Sequence, residues 1–267
     1  MKGRKFLVLG NDKKMSSCRN KLISEGYEAD LYSYETGFDT ISEYDNIILP
    51  LPTLANSKIS GTDKSIEDLY KIIKKHQKVF CGNIDVSSYD NFYSYYYDEN
   101  FLLNNSRLTA QGVLRLIVNN IDVDLTKLKT AVIGYGRCGK EISRLLKNCG
   151  MSVTSVSRRK ETQIEAETNG MNASSVEMLE SLMPYTDIFI NTVPVNILNE
   201  SFVSKLDHNK MYVEVASKPY GFDISKNDLF NFKYILAESL PGRFVPDSAG
   251  ENIADTVLKI LKEEEYG

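Results

Sequence analysis

Short apolar runs alternate along the chain with segments whose apolar side chains recur every three or four positions. That is the pattern of parallel strands buried on both faces, with helices between them. It passes through the chain twice. In the first block residues 5–9 and 46–49 predict central strands, 28–32 a weaker one and 78–81 another. Helices are expected over 16–25 and 63–75, the latter with Ile66, Leu69, Tyr70 and Ile73 on one stripe. The block closes on a tyrosine-rich stretch, 89–97, where Tyr93, Tyr95 and Tyr97 alternate as in a half-buried strand. Residues 104–106 offer a helix cap, and Leu108, Val113, Leu116, Ile117 and Val118 a connecting helix that ends near Asn120.

The second block starts with a strand over 129–133, runs into a glycine-rich turn and continues as a helix with Ile142, Leu145, Leu146 and Cys149 on one stripe. Strands at 152–157, 187–192, 211–216 and 234–237 follow, separated by helices near 175–183, 200–206 and 225–230. A last helix, 248–264, carries Ile253, Val257, Ile260 and Leu261 on one face, which needs a surface to cover. The expected fold class is α/β, with two Rossmann-like doubly wound domains and a C-terminal helix that returns to the first. The expected boundaries are 1–105 for a flavodoxin- or Rossmann-like substrate domain, 106–126 for a connecting helix and linker, 127–240 for a dinucleotide-binding domain, and 241–267 for the C-terminal segment.

Composition narrows the function without choosing it. With 267 residues, 42% hydrophobic and 25% charged, the chain has material for two cores. A net charge of −4 gives no general attraction to nucleic acid or to an anionic membrane, so a bound anion must be held locally. The apolar run near the N-terminus is too short for a signal peptide, no stretch reaches the length of a membrane span, and a cytoplasmic location is expected. Cys18, Cys81, Cys138 and Cys149 lack metal-site spacing and only His76 and His208 could add imidazole, so neither a disulfide framework nor a metal site is expected.

The chemistry concentrates in Gly134-Tyr135-Gly136-Arg137-Cys138-Gly139, between strand and helix. In GxGxxG the first glycine permits the turn, the second lets backbone approach a pyrophosphate and the third brings helix and strand together. A tight structural turn is the plainer reading; the flanking strand and helix favour a dinucleotide. The next strand ends in Ser157-Arg158-Arg159, with no carboxylate to hold the ribose hydroxyls of NAD. Guanidinium there suits a 2′-phosphate, which points to NADP rather than NAD, against a reading of two solvated surface arginines. Asn191-Thr192-Val193-Pro194, at the end of a later strand, is placed to line the nicotinamide, or is an ordinary strand-to-helix loop.

Read together, residues 134–139 (GYGRCG), 190–200 (INTVPVNILNE), 214–223 (EVASKPYGFD) and 238–250 (ESLPGRFVPDSAG), with 108–112 (LTAQG), resemble the A subunits of dipicolinate synthase. The resemblance implies oxidation of dihydrodipicolinate to dipicolinate (pyridine-2,6-dicarboxylate) with NADP⁺ as acceptor, in the mother cell of a sporulating bacterium. It also implies a smaller partner, the flavoprotein-like B subunit, and a homo-oligomer is expected as well. More distantly the layout is similar to the D-2-hydroxyacid dehydrogenases, in which a substrate domain precedes the nucleotide domain. At the place of their substrate-binding arginine this chain has Lys218, and at the place of their catalytic histidine, Asp247.

Without a histidine in a motif, alcohol oxidation lacks its usual base, whereas aromatising a dihydropyridine needs mainly recognition of two carboxylates and orientation of the ring. Lys218, Arg243 and Arg107 with Thr109 are the candidates for that recognition, expected to face a cleft between the domains. Asp247 is a candidate weak base or a cap for the last helix. Two rival readings stay open: a hydroxyacid- or shikimate-type dehydrogenase on another small carboxylate, and a non-catalytic NADP(H)-binding regulatory subunit.

Overall fold

The structure, a computed structural model, describes residues 4–32, 38–223 and 230–266. The chain divides into two compact units, Met1–Asn105 with Val245–Gly267, and Ser106–Phe244. No helix among the described residues is long and apolar enough to cross a membrane.

In the first unit β1 (Lys5–Val8), α1 (Lys13–Ser24), β2 (Glu28–Leu31), β3 (Asn46–Ile48), a small hairpin of β4 (Leu54–Ala55) and β5 (Lys58–Ile59), α2 (Ile66–Ile72), β6 (Lys78–Cys81) and β7 (Phe92–Ser94) follow in order. The parallel sheet runs β2-β1-β3-β6-β7. Its inner strands β1, β3 and β6 are mostly apolar because both faces are covered. Phe6, Val8, Ile48 and Phe80 point to one core, and Leu7, Ile47, Val79 and Cys81 to the other.

α3 (Glu99–Val118) carries the chain into the second unit, where β8 (Lys129–Ile133), α4 (Arg137–Asn148), β9 (Ser152–Val156), α5 (Lys160–Thr168), β10 (Asn172–Ser174), α6 (Leu179–Leu182), β11 (Ile188–Asn191), α7 (Glu200–Lys205), β12 (Met211–Glu214), β13 (Lys233–Leu236) and α8 (Leu240–Phe244) succeed one another. This sheet is parallel in the order β10-β9-β8-β11-β12-β13. The chain leaves β8 in one direction to β9 and β10, then crosses back to β11. The loops after β8 and β11 therefore flank the point where the winding reverses, the place where such sheets bind ligands.

α9 (Pro246–Tyr266) belongs to the first unit and lies along α1. The face read from the sequence is what it buries: Ile253, Val257 and Leu261 join Met15, Cys18 and Leu22, each apolar side chain contributing about 1.5–3 kcal/mol on full burial. Gly250 sets the spacing. A Cβ there would lie 2.1 Å from the Lys14 carbonyl oxygen and 2.7 Å from the Cys18 nitrogen.

Several local expectations are corrected. The connecting helix begins at Glu99, so 104–106 lie inside it; the cap is Asp98, whose carboxylate accepts from the Phe101 N–H at 3.0 Å. The tyrosine alternation stops at Ser94, where the Ser94 hydroxyl donates to the Gly82 carbonyl and accepts from the Tyr96 N–H, turning the chain. Tyr95 is then fully buried, its hydroxyl on the Leu49 carbonyl, while Tyr97 is exposed. The helix expected over 175–183 is one α-turn, Leu179–Leu182, between two 3₁₀ turns. The helix expected near 225–230 falls largely outside the described residues.

Candidate functional site

The strand registers of the second unit place Val156, Ile133, Asn191, Glu214 and Leu236 in one row across the carboxyl edge of the sheet. Every loop with candidate chemistry leaves from that row. The turn after Ile133 opens with Gly134 at φ +96°, a left-handed conformation that glycine adopts without strain. It is crowded behind: a Cβ would meet the Thr192 hydroxyl at 2.4 Å, and at Gly139 the Gly134 carbonyl oxygen at 2.1 Å. At Gly136, by contrast, a Cβ would meet nothing within 4 Å. Gly136 is also the N-cap of α4, with no side chain to cover the helix terminus. Two glycines hold loop, helix and strand together and the middle one leaves the positive end of the helix open, which is how a phosphate is accepted without net positive charge.

Gly134, Tyr135 and Gly136, Ser157, Arg158 and Arg159, and Thr192, Val193 and Pro194 come together around one cavity of about 340 Å³. The Ser157 backbone is fully engaged, its N–H on the Ser174 carbonyl and its carbonyl accepting from Gln163. Its hydroxyl, in a residue only 9% exposed, has no hydrogen-bond partner among the described residues. Ser157 lines the cavity beside two exposed arginines, whose guanidinium groups suit an anionic ligand. The set suits a dinucleotide ribose bearing hydroxyl or phosphate.

Other candidates sit elsewhere. Asn191 is fully buried behind the cavity, its amide donating to the Glu214 carboxylate at 2.8 Å and to the Val193 carbonyl at 3.0 Å. The Cys138 thiol lies 3.5 Å from the Ser106 hydroxyl, and burial pushes its pKa up, which makes it inert rather than reactive. Lys218 is exposed on the loop after β12. Arg107 is exposed and Thr109 buried on α3. The Arg243 guanidinium donates to the Glu238 carbonyl and lies over the Phe244 ring, contacts that close a turn. Asp247, in the first turn of α9, accepts from the Ser17 hydroxyl at 2.6 Å and pairs with Lys13 at 3.1 Å. Those contacts hold its carboxyl below the usual range, so it is a weak proton acceptor in a helix-terminal setting.

Glu214, absent from the candidates above, is the most buried carboxylate of the site. Burial raises its pKa against four converging hydrogen bonds. The signal in the sequence was its place, an acid closing the apolar run Met211–Val213.

Comparison with known proteins follows the same line. Residues 111–216 match the family described as D-isomer specific 2-hydroxyacid dehydrogenase, NAD binding domain. Over its whole length the chain resembles the A subunit of dipicolinate synthase from Bacillus subtilis (strain 168), at 25% identity over 293 residues, covering 98% of this chain and 97% of the relative. Crystal structures of the dipicolinate synthase A subunits of Bacillus halodurans and Bacillus subtilis share the fold. The first has a TM-score of 0.82 at 21% identity, covering 97% of this chain and 98% of that one; the second has 0.81 at 23%, covering 100% and 98%. The matches support a nicotinamide dinucleotide as cofactor and an oxidoreductase of the dehydrogenase type.

Proposed function

We propose that this chain oxidises dihydrodipicolinate to dipicolinate with NADP⁺ as hydride acceptor. In this reading it works with a smaller flavoprotein-like B subunit in the cytoplasm of a sporulating bacterium. The observation that carries the reading is the end-to-end resemblance to the dipicolinate synthase A subunit, joined to an open helix terminus at Gly136. Arg158 and Arg159 on the cavity lining, with no carboxylate beside them in the segment 157–159, support a 2′-phosphate, since guanidinium pairs with phosphate and a carboxylate would repel it.

When bound, the nicotinamide supplies a hydride acceptor. The protein's share is binding and orientation. Gly134–Gly139 and α4 hold the pyrophosphate, Thr192–Pro194 line the nicotinamide, and Lys218 takes a substrate carboxylate, with Arg107, Thr109 and Arg243 as further contacts. The dihydropyridine ring gives up a hydride from one carbon and a proton from the ring; aromaticity of the pyridine product drives the loss, so a strong base is not required. Asp247, ionised and paired, fits a supporting place better than the transfer itself.

The test is to mix the purified chain with dihydrodipicolinate and NADP⁺, with and without the B subunit. NADPH formation in either mixture bears the reading out, and turnover only with the partner assigns part of the catalysis to it. No NADPH in either mixture defeats it and leaves, as the reading to pursue, a regulatory subunit that binds NADP(H).

A further inference from the structure

The connection after β12, residues 215–221, is held at both ends by one side chain. Glu214 Oε1 accepts from the Ala216 N–H at 3.1 Å and Oε2 from the Gly221 N–H at 2.9 Å. The Asn191 amide reaches Oε1 at 2.8 Å from the neighbouring strand, and the Tyr212 hydroxyl approaches Oε2 at 3.4 Å. All four partners donate, so both carboxyl oxygens act as acceptors. The far end of the loop is fixed twice more. The Tyr220 hydroxyl donates to Glu238 at 3.0 Å, and the Gly221 carbonyl accepts from the Ile197 and Leu198 N–H groups. Only Ser217, Lys218 and Pro219 are exposed.

Gly221 has no room for a side chain: a Cβ would lie 2.6 Å from the Tyr212 hydroxyl and 2.8 Å from the Asn191 amide nitrogen. Removing a carboxylate from water is costly unless it is fully hydrogen-bonded, and a loop that only joined two elements would not need one. Asn191 also bonds both backbone groups of Val193, its amide donating to the carbonyl and its oxygen accepting from the N–H at 3.1 Å. One buried carboxylate thus fixes two loops of the site in register.

We infer that Glu214 is a positioning residue. It sets the span of the loop that presents Lys218 and ties that loop, through Asn191, to the Thr192–Pro194 turn of the nucleotide cavity. The inference rests on the reading of Lys218 as the residue that takes a substrate carboxylate.

Two variants test it. Glu214→Gln keeps the volume but sets an amide NH₂ against N–H donors, and Gly221→Ala pushes the loop off the same carboxylate. In hydrogen exchange read by mass spectrometry, both should release residues 215–221 by about tenfold or more while β8 and α4 keep their protection. With NADP⁺ saturating, calorimetry should find dipicolinate bound about tenfold more weakly by Glu214→Gln, a larger loss than that of NADP⁺, since Glu214 does not hold the pyrophosphate turn at Gly134–Gly139. In a Lys218→Ala background the same substitution should add less than about twofold, because it acts through that side chain. Unchanged exchange in the loop, or a full additional loss on top of Lys218→Ala, overturns the proposal. If wild type binds no dipicolinate, the reading of Lys218 fails, and the exchange result alone then decides whether Glu214 fixes the loop.

Discussion

The first strand of each unit turns at a left-handed glycine into a helix, yet the two helices start differently. In the first unit Gly10 has φ +108°, and α1 is capped by its own carboxylate, Asp12 accepting from the Met15 N–H at 2.8 Å. Lys14, almost wholly buried, then donates to the Leu51 carbonyl and pairs with Asp12 at 3.5 Å. In the second unit the corresponding cap is Gly136, with open space where a side chain would stand. One turn is closed by the protein's own anion and the other has no side-chain cap. A shared fold thus does not imply a shared binding site; under the proposed function, a few atoms at the helix terminus set which unit would take a phosphate.

Giving the open turn the closed one's cap is the strongest way to break the contrast. Gly136→Asp should lower NADPH affinity by at least about 100-fold in calorimetry, through repulsion and occupation of the helix terminus, while the thermal midpoint holds or rises. Affinity within about threefold of wild type would contradict it. Next in size, Gly250→Ala drives a methyl group into the α1 backbone and should cost the first unit about 2–3 kcal/mol in denaturant unfolding, with nucleotide affinity unchanged. Replacing Arg158 and Arg159 together by alanine should weaken NADPH by about tenfold and leave NADH as it was, sharpening which ribose the open unit selects. An equal loss for both nucleotides would assign the arginines to the pyrophosphate or to general charge.

The smallest effect lies in the closed unit and depends on pH. Burial works against ionisation of Asp98, but hydrogen bonds from Lys259 and from the Phe101 and Asn100 N–H groups outweigh it and hold its pKa below the ordinary carboxylate range. A lowered folded-state pKa stabilises above the unfolded value and is lost as pH falls through the folded one. The melting-temperature difference between wild type and Asp98→Asn should therefore be full near neutral pH and shrink on acidification below the ordinary carboxylate range. A constant difference across that window would show that the Lys259–Asp98 ion pair adds nothing to stability.

What could be read from the chain was what is contiguous in it. Strands β1, β2, β3, β6, β8, β9, β11, β12 and β13, the glycine turn and the apolar face of the last helix are each written in one stretch, and each stands close to where the pattern put it. The start of α3 was misplaced because Asn104–Ser106 are as good a cap in composition as Asp98, and only the Asp98–Phe101 hydrogen bond chooses between them. The short strands β4, β5 and β10 carry too few residues for a period. Glu214 went unnoticed for a different reason. Its meaning comes from Asn191, opposite it across the sheet, and from Gly221, seven residues on, and strand register is not written in either segment alone.

The central claim is that the turn Gly134–Gly139, with Ser157, Arg158 and Arg159, receives a 2′-phosphorylated dinucleotide. Calorimetric titration of the wild-type chain with NADPH and with NADH tests it most directly. The account predicts one nucleotide per chain, with NADPH bound more tightly than NADH; uptake of neither by folded protein, with the B subunit present or absent, would contradict it.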